Sequence, residues 1–105
     1  MLLPAVTAFS IGSAAKRYAE CARTMGIAEE RDADAVACEK LVGALFARNR
    51  ELEVPSPKKY GIAEERYFKL IPTMAQQALA SGSPQNNPRV PTAEEIAGIY
   101  RQIWE

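Results

Sequence analysis

Apolar positions along the chain recur with a helical period in every long segment and with a strand period in none. The clearest case is the last segment. Ile96, Ile99, Tyr100, Ile103 and Trp104 fall at i, i+3, i+4, i+7 and i+8, which is one face of a helix. Pro88 and Pro91 hold a short extended lead-in, because each disfavours helix at itself or at the residue before it. Thr92 is placed as the N-cap. Glu95, three residues on, can reach back to the Thr92 N–H and complete a capping box, while Pro91 and Ile96 are placed to staple the entry. The only tryptophan stands at the end of this stripe, so the helix is expected to dock on the other segments.

Those segments read as helices too. Residues 1 to about 11 predict a short one, with Leu2, Leu3, Val6 and Phe9 on one side and a break at Gly12-Ser13. Ser13 is the expected cap of a second, whose stripe is Ala14, Tyr18, Ala22 and Met25 and whose left-handed stop is Gly26. Lys16, Arg17, Glu20 and Arg23 then fall on a solvated face. Asp32 is the expected cap of a third helix reaching about Arg50, with Cys38, Leu41, Val42, Leu45 and Phe46 inward. Asp32-Ala33-Asp34 is no calcium loop, since Val36 occupies a ligand position and the required glycine is missing. Val54-Pro55-Ser56-Pro57 is a stiff break. A helical turn through Glu64–Phe68 follows, and then a helix beginning at Pro72 with Ile71, Ala75, Ala78 and Leu79 on its packed side. Residues 81–85 predict a polar loop. The pattern implies an all-α bundle of five or six helices with short connections.

Composition adds limits. The chain has 105 residues, enough for one domain with a modest core. Lys plus Arg is 13 and Asp plus Glu is 13, a balance that argues against nucleic acid or an anionic membrane as partner. Cys21 and Cys38 lack redox or zinc spacing and read as buried thiols in helices. With no secretory pattern at Met1-Leu2-Leu3-Pro4 and no run of about 20 apolar residues, a soluble, cytoplasmic protein is expected. The apolar opening resembles the middle of a buried helix.

Candidate chemistry is sparse. There is no histidine, and no glycine-rich phosphate loop. Glu64-Glu65 and Glu94-Glu95 sit in first turns of helices, where acids complement the helix dipole. Tyr18, Tyr60, Tyr67 and Tyr100 have apolar neighbours and read as core. No catalytic, cofactor-binding or metal-binding residue is assigned.

Five segments nonetheless carry a resemblance. Leu2-Leu3-Pro4-x-Val6-x-x-Phe9, Arg17-Tyr18-Ala19-Glu20-x-Ala22-Arg23-x-Met25-Gly26, and Pro55 with Tyr60-Gly61-Ile62 are similar to the iron-containing (group III) alcohol dehydrogenases. So are Met74-Ala75-x-x-Ala78-Leu79-Ala80 and, most specifically, Asn87-Pro88-Arg89-x-Pro91-Thr92-x-Glu94-Glu95-Ile96-x-x-Ile99-Tyr100-Arg101. The resemblance runs in order from residue 2 to residue 104 and points to the lactaldehyde reductase and propanediol dehydrogenase-like branch.

The resemblance implies that residues 1–105 are a fragment of the C-terminal all-helical, dehydroquinate synthase-like domain, without the N-terminal NAD(P)-binding domain. In the family, an aspartate and three histidines upstream of the Leu-Leu-Pro segment hold a divalent metal, usually iron. The metal polarises the alcohol oxygen, and hydride passes to or from the nicotinamide. Fe(II) and NAD(P) are therefore implied for a full-length protein and neither for this chain. By resemblance Ser83 lies in a loop bordering the substrate tunnel, where relatives often carry cysteine; a plain helix-end loop is the alternative. Asn87, Pro88, Arg89, Thr92 and Glu95 form the structural signature, with Asn87 and Arg89 expected to fix the lead-in to the last helix. Ser10 stands where asparagine is common, and Glu53 where a glycine is usual.

The expected function is therefore that of the C-terminal portion of an alcohol dehydrogenase interconverting a primary alcohol and an aldehyde, inactive alone. Its expected partners are the missing N-terminal part and, in isolation, a second copy of itself. The alternative is a stand-alone helical interaction module derived from that family.

Overall fold

The computed structural model describes all 105 residues, in five α-helices and one 3-10 turn, with no strand. The helices are α1 (Leu3–Thr24), α2 (Asp34–Glu51), α3 (Pro57–Tyr60), α4 (Glu64–Ala80) and α5 (Ala93–Gln102). The 3-10 turn, Ser83–Asn86, occupies part of the stretch expected to be loop.

The expected first two helices meet at a kink at Ala14 (φ −149°, ψ 37°), one residue past the expected break at Gly12-Ser13, and together form α1. Its buried stripe beyond the kink is Ala19 and Ala22, flanked by Ala15 and Tyr18, while Met25 is exposed. Small side chains win this face because they let α2 approach closely through Ala37, Cys38 and Leu41. Cys21 is exposed, not buried. Arg23 is not solvated: its guanidinium donates to the Asp34 carboxylate (2.8 Å) and the Asp32 carbonyl (2.7 Å), clamping α1 to α2. Both helices of this pair end in a Schellman motif. After α1, the Gly26 and Ile27 N–H groups donate to the Arg23 and Ala22 carbonyls, with Gly26 left-handed at φ 72°.

Asp32 does not cap α2. Its carboxylate accepts instead from the Glu29 N–H (2.8 Å) and the Lys40 ammonium (2.7 Å), which closes the preceding loop. The helix then starts two residues later, behind an uncapped Ala33. Within the expected α2 stripe, Cys38 and Leu41 are buried and Phe46 is exposed.

Pro72 does not begin a helix; it lies inside α4, which runs unbroken from Glu64. Its ring is on the exposed side, so the N–H it cannot donate to the Phe68 carbonyl is missing where water reaches. The opposite face carries Tyr67, Ile71 and Ala75 into a second core with Ile96, Ala97 and Trp104. Trp104 packs against Tyr67 (ring centroids 4.9 Å) and Phe68 (5.5 Å), so the last helix docks on α4. The Tyr67 hydroxyl donates to the Tyr100 carbonyl (2.8 Å). Tyr60, expected in the core, is exposed at the end of α3.

Candidate functional site

Side chains with polar chemistry converge on the lead-in to α5. Thr92 caps the helix: its hydroxyl accepts from the Glu95 N–H (3.2 Å) while the Glu95 carboxylate accepts from the Thr92 N–H (2.9 Å). The capping box is complete. The other Glu95 oxygen accepts from the Arg89 guanidinium. The Thr92 N–H first, and then Arg89, hold the Glu95 carboxyl below its usual range.

Arg89 also lies over the Phe9 ring, 4.0 Å from its centroid, a cation–π contact from the lead-in to α1. Asn87 makes the second tie. Its amide donates to the Ser10 hydroxyl (2.8 Å) and to the Arg89 carbonyl (2.6 Å), and the Ser10 hydroxyl in turn donates to the Val6 carbonyl (2.7 Å). Asn87 and Arg89 thus tie the lead-in to α1, and Ser10 takes part. Thr7 and Ser10, the polar exceptions in an apolar stretch, are buried because each hydroxyl donates to the carbonyl four residues back.

These ties hold α1 beside α5 and leave a cavity of about 300 Å³ between them. Leu2, just before α1, with Val6 and Phe9 of α1 forms one wall, and Ile96, Ile99 and Tyr100 of α5 the facing one. The end is closed by Ala78 of α4, by Ser83 and Pro84 of the 3-10 turn, and by Asn87 and Pro91. Ser83 is exposed, with its N–H donating to the Ser81 hydroxyl (3.3 Å). Pro91 and Ile96 both line this cavity. Pro88 is exposed and lines no wall.

The sequence singled out Ser83, Asn87, Pro88, Arg89, Thr92 and Glu95, and the last three with Asn87 form one hydrogen-bonded network. Sequence reasoning missed the roles of Val6, Phe9 and Ile99 as cavity walls. Their signal was present as helical stripes, but a stripe does not say whether it faces a core or a hollow. What the arrangement offers chemically is shape, apolar surface and a hydroxyl at one end. No three His, Cys, Asp or Glu side chains lie close enough together to hold a metal ion, so the residues present do not fit one.

A family model described as "Fe-containing alcohol dehydrogenase family, C-terminal" matches residues 1–104. Lactaldehyde reductase of Escherichia coli (strain K12) is 32% identical over 105 residues, covering 99% of this chain and 26% of that protein. The 1,3-propanediol dehydrogenase of Klebsiella pneumoniae is 29% identical over the same shares of both chains. The NAD-dependent methanol dehydrogenase of Bacillus methanolicus is 31% identical over 100 residues, 94% of this chain and 25% of that protein. The chain thus spans about a quarter of the length of the curated relatives it matches.

Proposed function

Because the chain belongs to the Fe-containing alcohol dehydrogenase family, we propose that it is the C-terminal helical portion of a longer enzyme. That enzyme would interconvert a primary alcohol and an aldehyde, with a divalent metal, iron first, and NAD(P). The observation that carries this reading is coverage: the family match takes residues 1–104, yet the relatives are about four times longer. Metal and nucleotide sites would then belong to the remaining three quarters, since no metal-binding group or glycine-rich phosphate loop lies in these residues.

On this reading the chain's own work is structural and steric. Arg89, Asn87 and Glu95 hold α5 in register with α1, and the facing walls shape the volume that a small alcohol enters. The isolated chain would be inactive and would need the upstream part of the same protein as its partner. We place the enzyme in the cytoplasm; no helix is long and apolar enough to cross a membrane.

An antibody against residues 86–105 tests this on a lysate of the source cells. The expected result is a band about four times heavier than 11.5 kDa, in the cytoplasmic fraction. Alcohol-dependent reduction of NAD(P) should purify with it. A band at 11.5 kDa, with no such activity in its fractions, would overturn the proposal and favour a stand-alone interaction module.

A further inference from the structure

We propose that the cleft where the end of α2, the 54–59 segment and the end of α5 meet binds a small organic anion, a carboxylate borne on an apolar group. The cleft measures about 360 Å³ and shares no lining residue with the cavity between α1 and α5. The proposal needs nothing of the alcohol chemistry proposed above.

Three observations carry it. The first is charge. Seven of the 13 lysines and arginines form an ion pair within the chain. Among those that do not, Arg50 at the end of α2 and Lys59 in α3 line this one cleft. The neighbouring acids are engaged elsewhere: Glu51 accepts from Arg48 (2.8 Å), and Glu105, the one carboxylate side chain on the lining, accepts from Lys58 (2.7 Å). Two cations facing one volume repel each other, and an anion between them relieves the repulsion. The second is an uncovered apolar wall. Phe46 and Arg50 fall at i and i+4 on one face of α2, so the Phe46 ring stands one turn before the guanidinium. Val54 and Ile103 extend that wall. Phe46 is 41% exposed although it belongs to the expected inward stripe of α2, and an apolar group in the cleft would cover it. The third is a fixed frame. The Lys59 N–H donates to the Ser56 hydroxyl (3.2 Å) and the Lys58 N–H to the Trp104 carbonyl (3.3 Å), so the backbone that carries Lys59 is held before any ligand arrives.

The same geometry discriminates. A guanidinium offers a carboxylate two parallel N–H groups, and the Lys59 ammonium adds a point charge. An inorganic anion would meet the cations and leave Phe46 and Ile103 uncovered, whereas a neutral apolar molecule would cover the wall and leave the cations facing each other. Size sets the rest. An apolar cavity of ~150 Å³ takes benzene, so a cleft of about 360 Å³ has room for one ring and a short acidic arm. Phenylacetate has that form.

The test titrates phenylacetate, phenylacetamide and acetate into the ¹⁵N-labelled 105-residue chain at low salt and follows backbone amide shifts. Phenylacetate should give saturable shifts at Phe46, Arg50, Lys59 and Ile103, with a Kd on the order of 1 mM. Phenylacetamide keeps the shape without the charge, and acetate keeps the charge without the ring; each should bind about tenfold more weakly or worse. Arg50→Gln and Lys59→Gln should each weaken phenylacetate by about threefold to fivefold. Lys69→Gln, at an exposed cation of α4 outside the cleft, should leave its affinity unchanged. All three side chains are exposed, so the variants keep a dispersed amide spectrum. Equal binding of the amide would overturn the proposal, as would unchanged affinity in Arg50→Gln and Lys59→Gln. So would shifts that do not saturate, or that are as large at Lys16, Arg17 and Lys69, since these mark anions gathering on any basic side chain.

Discussion

Glu53 is the one non-glycine residue with a positive φ, at 52°. It occupies the left-handed position of a Schellman motif closing α2: its N–H donates to the Arg50 carbonyl (3.1 Å) and that of Val54 to the Asn49 carbonyl (2.9 Å). Gly26 does the same work after α1 without a Cβ. The left-handed conformation costs an L-residue about 1–2 kcal/mol, partly offset because glycine gains freedom in the unfolded chain. Glu53→Gly should therefore raise stability by roughly 0.5–1 kcal/mol, read as a higher midpoint in urea at unchanged slope. Glu95 gives a prediction in pH. Its carboxyl is held below the ordinary 4.5 by the Thr92 N–H and by Arg89. A depressed carboxyl contributes stability that is present above its unfolded pKa and lost as pH falls through the lower folded value. Thermal melts should thus lose midpoint as pH drops below about 4.5, and Glu95→Gln should be less stable at neutral pH with a shallower acid limb. Asp32, lowered mainly by Lys40, and Glu105, lowered by Lys58, add to that limb in the same direction. The capping box was legible in the residues because Thr92 and Glu95 need only a fixed spacing. Asp32 was not: the same carboxylate can cap the helix ahead or close the loop behind, and Lys40 on α2 decides for the loop.

At the scale of elements, helix identity was legible and helix limits were less so. One breaker marked a real break and another yielded to packing. The Gly12-Ser13 break appears one residue on, as the kink at Ala14, whereas Pro72 does not start a helix because it lies in a segment whose inner face is anchored on both sides. For Pro72 the anchors are Tyr67 and Ile71 before it and Ala75 after it, all buried. The amphipathic face of α5 was legible, although the last two residues of the expected stripe, Ile103 and Trp104, lie in the turn past Gln102, and its docking on α4 follows from Trp104. Trp104→Ala tests how much of that element depends on one side chain. Truncating a buried tryptophan costs about 3–5 kcal/mol, a large part of the 5–15 kcal/mol typical of a whole domain. Because α1–α2 and α4–α5 each bury their own cluster, the loss should be uneven. Amide exchange should accelerate throughout α4 and α5 and stay slow around Ala19, Ala22 and Cys38. Uniform acceleration would mean that the two clusters unfold as one.

For the whole molecule the decisive quantity is shape. The chain measures 46 × 30 × 17 Å, with a radius of gyration of 15.1 Å against about 13 Å for a compact domain of this length. A thickness of 17 Å is less than two helix diameters, so the two helix pairs lie side by side as a slab. Only 17 of 105 residues are buried, and Leu3, Met25, Leu52, Tyr60 and Val90 are each more than half exposed. No helix stripe could reveal this, since periodicity tells which side of a helix is apolar but not how many neighbours arrive to cover it. An isolated slab with that much apolar surface should lower its free energy by association. Sedimentation velocity on the purified chain is expected to show a mass above 11.5 kDa that rises with loading concentration. On the function proposed above, addition of a separately expressed upstream part should compete for those surfaces and dissolve the self-complex into a defined pair. A monodisperse monomer at high concentration with a single cooperative melt would show that the slab is self-sufficient, and the search would turn to what the exposed side chains recognise.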